Sequence, residues 1–285
     1  MEKTQSNQPL SDETRSKNSR RYRTIWISDV HLGFRGCNAE MLLDFLRSTR
    51  CDTLYLVGDI IDIWQMKKKP YWPQAHNDVI RTILGKAKHG TKVIYVPGNH
   101  DEYMRDFNKM SFGNVRIKKQ AIHTTADDRK LLILHGDQFD TIVMSSPFLG
   151  KLGSKLYDLL LQMNIVVNAV RRRLGLKHWS LAGVLKHKVK NAVKFISSYE
   201  EAVAFEASRQ NVDGVVCGHI HHAEISDIND VTYYNCGDWV ESCSALTEGD
   251  DGEMKVIYWL EESAESQTEV ANPKKTSKKM LKAVA

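Results

Sequence analysis

Five short apolar runs in this chain stop in the same way, and that repetition limits what it can become. Ile25 to Ser28 runs into Asp29 and His31. Leu54 to Val57 runs through Gly58 into Asp59, with Asp62 three residues on. Val93 to Val96 ends, past Pro97 and Gly98, in Asn99 and His100. Leu131 to Leu134 ends in His135, and Gly214 to Cys217 ends in His219 and His221. Short apolar runs bounded by Gly, Pro and polar residues read as strands buried on both faces. Strands of that kind that converge on one edge would gather Asp, His and Asn, and no Cys, at a single place. Oxygen and imidazole donors suit hard or borderline divalent ions.

The intervening segments fit an α/β arrangement. Ala39 to Arg47 carries Met41, Leu42, Phe45 and Leu46 at helical spacing. Between strands Thr24–Ser28 and Thr53–Val57 it makes a β-α-β unit, for which parallel pairing and a right-handed crossover are expected. Asn77 to Lys88 is a second helix, closed by Gly90. Strands follow at Lys92–Val96 and Lys130–Leu134, then at Gly214–Cys217, Val231–Cys236 and Met254–Leu260. The last two are expected to pair antiparallel across an acidic turn, Thr247 to Glu253. Trp64 to Trp72 reads as a loop in which Lys67, Lys68 and Lys69 lie between aromatics, either a solvated loop or a cationic lip for a phosphorylated or lipid-surface substrate.

Residues 1–21 are polar and expected to be disordered, residues 22–262 to form the domain, and 263–285 to be a flexible basic tail. Residues 141–211 break the strand rhythm with two helical apolar stripes, Ser154–Val170 and Leu181–Ile196. From Asp158 to Glu200 no acidic residue intervenes, while Arg171, Arg172, Arg173, Lys177, Lys186, Lys188, Lys190 and Lys194 are basic. Lys186, Lys190 and Lys194 are four apart and form one row on a helix. A solvated face usually mixes signs, so this one points to an anionic partner: substrate phosphates, an acidic membrane surface or nucleic acid. Few aromatics lie among these lysines to stack bases, which ranks nucleic acid lower. No run approaches the ~20 apolar residues of a membrane span. The five cysteines lack metal or redox spacing, and read as reduced thiols of a cytosolic protein.

A pair of ions about 3.5–4 Å apart needs a bridging carboxylate and terminal ligands on either side. Asp59 is the natural bridge. Asp29 and His31 can serve one ion, and Asn99, His135 and His219 the other, while His219 and His221, two apart, could also split between them. A water held between two such ions becomes a nucleophile near neutral pH. A lone Asp-x-His or a lone strand-end Asp is weak evidence; five pieces in order, each behind an apolar strand, are strong evidence.

Asp29-Val-His31, Gly58-Asp59-Ile-Ile-Asp62, Gly98-Asn-His-Asp101, His135 and Gly218-His-Ile-His221 resemble the full signature of the calcineurin-like metallophosphoesterases, over about residues 23 to 260. The resemblance implies a two-sheet β-sandwich flanked by helices, here with a helical cap insertion at about 141–211. It implies two divalent ions, most often manganese, with iron or zinc as alternatives. It places Asp29, His31, Asp59 and His221 on one ion, and Asp59, Asn99, His135 and His219 on the other. His100, oriented by Asp62, would help the leaving oxygen depart. Within the family the chain is most similar to the UDP-2,3-diacylglucosamine diphosphatases of lipid A biosynthesis. The likeness rests on His135-Gly-Asp137, the basic insertion and Asn235-Cys-Gly-Asp-Trp239. That group implies pyrophosphate cleavage to a lipid sugar phosphate and UMP at the cytoplasmic face of the inner membrane. It also implies phosphate contacts near Lys186, Lys190 and Lys194. The chain departs from it at His100, where the group carries Arg. The alternatives are a phosphodiesterase or nuclease of the same fold acting on another nucleotide- or lipid-linked substrate, and a non-enzymatic scaffold.

Overall fold

The computed structural model describes residues 19–140, 171 and 190–263. Two sheets pack face to face. With β11 at Ser244–Glu248 and β12 at Met254–Tyr258, the first has seven strands in the order β12-β11-β1-β2-β3-β5-β4, and the second five, in the order β6-β7-β8-β10-β9. In the first, β1 (Arg20–Ile27), β2 (Thr49–Val57), β3 (Lys92–Val96) and β5 (Val115–Ile117) run parallel. In the second, β7 (Lys130–Ile133), β8 (Gly214–Cys217) and β10 (Val231–Asn235) run parallel. Strands β4 (Ser111–Phe112), β6 (Ala121–Thr124) and β9 (Glu224–Ile228) are antiparallel edges.

Alternation along the strands divides the apolar residues between three cores. Trp26, Tyr55, Val57, Ile94 and Val96 point between the sheets, where they meet Leu131, Ile133, Val216 and Tyr234. Their neighbours Ile25, Ile27, Leu54, Leu56 and Val93 point outward under α1 (Ala39–Ser48) and α3 (Gln74–Lys88), against Leu42, Phe45, Leu46, Val79 and Ile83. On the far side Leu132, Leu134, Val215 and Cys217 are covered by Tyr199, Val203, Ala204 and Ala207 of α4 (Lys190–Arg209). The carboxyl-end runs of β1, β2, β3, β7 and β8 are thus buried on both faces, which is why they are apolar without interruption. All five cysteines are free thiols, and four are buried.

The two-sheet α/β architecture expected from the sequence is what the chain adopts, with the unexpected strands β4, β5, β6, β9 and β11 added and four further differences. Strand β1 begins at Arg20, so Arg20 and Arg21 of the expected disordered segment pair with Thr49 and Arg50. Val231–Cys236 and Met254–Leu260 do not pair with each other. Strand β12 (Met254–Tyr258) pairs with β11 (Ser244–Glu248), while β10 lies in the other sheet between β8 and β9. The turn is therefore shorter, since Thr247 and Glu248 belong to β11, where they are buried. The Trp64–Trp72 segment is not all loop: α2 (Ile63–Lys68) forms there, because the Asp62 side chain accepts from the Gln65 N–H at 2.8 Å and caps it.

Of the expected insertion, 141–170 and 172–189 lie outside the described residues, and 190–209 are α4. Among the described residues no helix is long and apolar enough to cross a membrane.

Candidate metal centre

Parallel strands place their carboxyl ends on one edge, and in open α/β sheets that edge is where ligands bind. The loops after β1, β2 and β3 are tied to each other there: Asp29 N–H donates to Gly58 O at 3.1 Å, His31 N–H to Asp59 O at 2.8 Å and Ile63 N–H to His100 O at 3.2 Å. Within the second sheet Gly218 N–H donates to His135 O at 3.1 Å, and that sheet joins the first through Trp239 N–H to Asp29 O at 3.0 Å. Asn235 Nδ2 donates to Gly218 O at 2.9 Å and braces the turn that carries His219.

Five of the side chains expected as ligands sit on left-handed backbone: Asp29, His31, Asp59, His219 and His221 have φ between 51° and 69°. Outside glycine that region is sparsely used, and residues held there gather at functional sites. Two glycines allow the crowding. A Cβ on Gly58, itself at φ +76°, would fall on the His135 ring, and one on Gly98 would meet Asp59 Oδ1 and the same ring.

Each central carboxylate has one oxygen tied to backbone and the other turned inward. Asp59 Oδ1 accepts from His100 N–H at 2.8 Å; its Oδ2 faces His135 Nε2 at 3.4 Å, and His31 and His100 Nε2 at 4.0 Å each. Asp29 Oδ2 accepts from His219 N–H at 3.0 Å, and Oδ1 faces His221 Nε2 at 3.2 Å. His31 Nε2 is 3.4 Å from His221 Nε2. The side chains fall into two triplets, Asp29–His31–His221 and Asp59–His135–His219, with the ligand atoms of each within 4.8 Å of one another. His31, Asp59 and His100 meet the same test and join the two.

The donor set fits divalent ions on its own chemistry. His135 Nδ1 faces Val57 O at 2.9 Å, which turns Nε2 to the Asp59 carboxylate. Nε2 of His135 and Oδ1 of Asn99 are buried with no hydrogen-bond partner among the described residues, an arrangement that costs free energy unless something binds there. Burial works against charge on both Asp59 and His135. Their attraction outweighs it, holding Asp59 well below the usual carboxylate range and raising His135 to about 10. Asp29 acts likewise on His221, raising it to about 9 against the same burial. The two carboxylates thus stabilise positive charge at this spot, and bound cations can supply it.

Asp62, expected to orient His100, does more. Its Oδ1 lies 2.9 Å from His100 Nδ1, and its Oδ2 is 3.1 Å from His31 Nδ1. Two residues were missed from the sequence. Asp140 Oδ1 lies 2.8 Å from His219 Nε2. Asp101 is fully buried and accepts from Ile60 N–H at 2.8 Å, Ile61 N–H at 3.3 Å, Gly98 N–H at 2.6 Å and the Tyr95 hydroxyl. It joins the turns that carry Asp59 and Asn99. Its only signal was an Asp directly after Asn99-His100.

Glu200, His222 and Glu224 form a further, less buried grouping, with His222 Nδ1 at 2.9 Å from Glu224 Oε2. Lys67 Nζ donates to the Tyr103 hydroxyl at 2.6 Å. Lys186 lies outside the described residues; Lys190 and Lys194 fall on the opening turns of α4, where the description is of the backbone.

Residues 22–223 match the family model described as calcineurin-like phosphoesterase. A UDP-2,3-diacylglucosamine hydrolase of Neisseria meningitidis is 26% identical over 246 residues, 83% of this chain and 97% of the relative. The hydrolase of that name from Pectobacterium carotovorum is 22% identical over 212 residues, 72% of this chain and 85% of the relative. Among solved structures, the phosphopantetheinyl hydrolase of Mycobacterium tuberculosis aligns with a TM-score of 0.41 at 16% identity, over 79% of this chain and 92% of its own.

Proposed function

Because the chain belongs to the calcineurin-like phosphoesterase family and is a metal-dependent phosphoester hydrolase, we propose that it cleaves the pyrophosphate of UDP-2,3-diacylglucosamine to a lipid sugar 1-phosphate and UMP. Asp29, His31, Asp59 and His221 would hold one divalent ion, and Asp59, Asn99, His135 and His219 the other, with manganese the first choice. The observation that supports this most is the division of labour in Asp59 and Asp29: one oxygen of each is tied to a backbone N–H, and the other faces imidazoles.

When bound, the ions supply Lewis acidity at phosphorus and a water acidic enough to attack at neutral pH. The protein's own groups do the rest. Backbone N–H donors keep the two carboxylates from rotating, so the ligand set is organised before substrate arrives. Asp62 holds His100 by Nδ1, which leaves Nε2 to give a proton to the departing oxygen as general acid. Asp62 also faces Nδ1 of His31 and so fixes Nε2 as the nitrogen that faces inward.

The names of the relatives at 20–26% identity favour the UDP-lipid. His100 favours a second reading, hydrolysis of another nucleotide- or lipid-linked phosphodiester, since the lipid A group resembled by the sequence carries Arg there. In both readings the basic run around Lys186, Lys190 and Lys194 meets substrate phosphate, and the protein works as a peripheral enzyme on an anionic, cytoplasmic membrane face. Purified protein with manganese, given UDP-2,3-diacylglucosamine beside a simple aryl phosphodiester, tests both. Formation of the lipid sugar phosphate and UMP, identified by mass, supports the first. Cleavage of the aryl ester alone moves the protein to the second.

A further inference from the structure

His100 is gripped by the start of one short helix. Asp62 caps α2 and presents Oδ1 to His100 Nδ1 at 2.9 Å. Ile63, the first residue of α2, donates its N–H to His100 O at 3.2 Å. Trp64, the second, lays its ring over the imidazole, with centroids 4.4 Å apart and planes 33° from parallel. On another side His31 meets the same ring edge to face, at 4.6 Å and 88°. Nε2 lies 4.0 Å from Asp59 Oδ2.

We propose that Trp64 is a positioning residue for His100, fixing the plane of its imidazole so that Nε2 is aimed at the leaving oxygen of the phosphoester. This rests on the general-acid reading of His100 above. A single contact at Nδ1 defines the axis of the ring and leaves it free to tilt about that axis; an aromatic surface against one face removes the tilt. Aromatic pairs favour offset and tilted contacts of this kind. Trp64 is not in place as core packing: it is 38% exposed, and no residue of α2 is buried. Two residues apart at a helix start, Asp62 and Trp64 hold one ring from its edge and from its face.

The test compares Trp64→Ala and Trp64→Phe with wild type on two diesters that differ only in leaving group, p-nitrophenolate or an alkoxide. A general acid matters where the leaving oxygen is strongly basic. A misplacement of about 1 Å costs on the order of 100-fold. The expected result for Trp64→Ala is a kcat about 10- to 100-fold lower on the alkyl diester, with KM unchanged and the p-nitrophenyl diester within about threefold. Trp64→Phe restores most of the loss, and adding Trp64→Ala to His100→Ala costs nothing further. Equal losses on both substrates, or losses that add to those of His100→Ala, overturn the proposal.

A second readout needs no turnover. Carbon-13 relaxation spectra of the imidazoles in zinc-loaded protein report the mobility of the His100 ring. A rigid ring in wild type and Trp64→Phe that becomes mobile in Trp64→Ala supports the clamp. An unchanged spectrum overturns it. If wild type hydrolyses neither diester, the phosphodiesterase reading has failed, and the spectra still decide the role of Trp64.

Discussion

Asp59 takes a hydrogen bond on Oδ1 from the backbone N–H of His100, at 2.8 Å, and that single contact turns Oδ2 toward the imidazoles. The residue proposed to bridge two ions and the residue proposed as general acid are therefore set relative to each other by the main chain. A change of side chain at 100 leaves this donor in place; a change at 59 removes the centre of the site. Asp59→Ala should bring the metal content below two ions per chain and lower turnover by about 1,000-fold or more, since metal stabilisation of the transition state is worth several kcal/mol. Elemental analysis and steady-state rates check this. Full turnover in Asp59→Ala would mean that the bridge is misassigned.

Asp101 gives a stability prediction. Three backbone N–H groups and the Tyr95 hydroxyl converge on its buried carboxylate. Burial, with the nearby charge of Asp59, raises its pKa. Asp101→Ala leaves those donors without partners and should cost about 2–4 kcal/mol, as buried networks do when one member is removed. The urea midpoint reads this directly, and a loss below about 0.5 kcal/mol would contradict it.

Glu248 governs part of the acid limb. It is buried on β11 and receives Arg23, at 2.5 Å, and the Ala126 N–H, at 2.8 Å, and it lies 2.9 Å from His123 Nε2. Burial pushes its pKa up, but the bonds from His123 and Thr24 outweigh that, and the net shift is downward. A carboxyl depressed in the folded state adds stability above its unfolded pKa, and that stability is lost as pH falls through the folded one. Wild type should therefore be more stable than Glu248→Gln at pH 7, and the gap in Tm should close as pH falls below about 4.3, the ordinary value for Glu. A gap that is constant or widens with acid would refute it.

The thiols should be inert. Burial raises Cys51 to about 11 and Cys37 and Cys217 to about 12, and the thiolate is the reactive form. Folded protein at pH 8 should react slowly with a thiol reagent, whereas denatured protein should titrate five thiols. Rapid labelling of two or more thiols in the folded state would contradict this.

Much of the site could be read from the sequence because its logic is local. Each candidate ligand follows an apolar run within a few residues, and Gly58 and Gly98 mark where the chain must crowd His135. What could not be read depends on distant partners. The residues of β11, Ser244–Glu248, are polar at both ends, and their burial comes from β1 and β12 on either side and from the two cores that Ala245 and Leu246 enter. This is why β12 was given the wrong partner. Asp140 reaches His219 from 79 positions away. The second neighbour of Asp62, His31, follows β1 and is brought to it by the parallel pairing of β1 with β2, 31 positions away in sequence. The cap of α2 was visible only as an Asp three residues ahead of a Gln, too common a pattern to outweigh the lysines that follow.

Anomalous diffraction from crystals grown with manganese is the most direct measurement of the central claim. The account predicts two peaks about 3.5–4 Å apart, one beside Asp29 and His221 and the other beside Asn99 and His135, with the Asp59 carboxylate between them. One peak, or none within reach of Asp59, would contradict it.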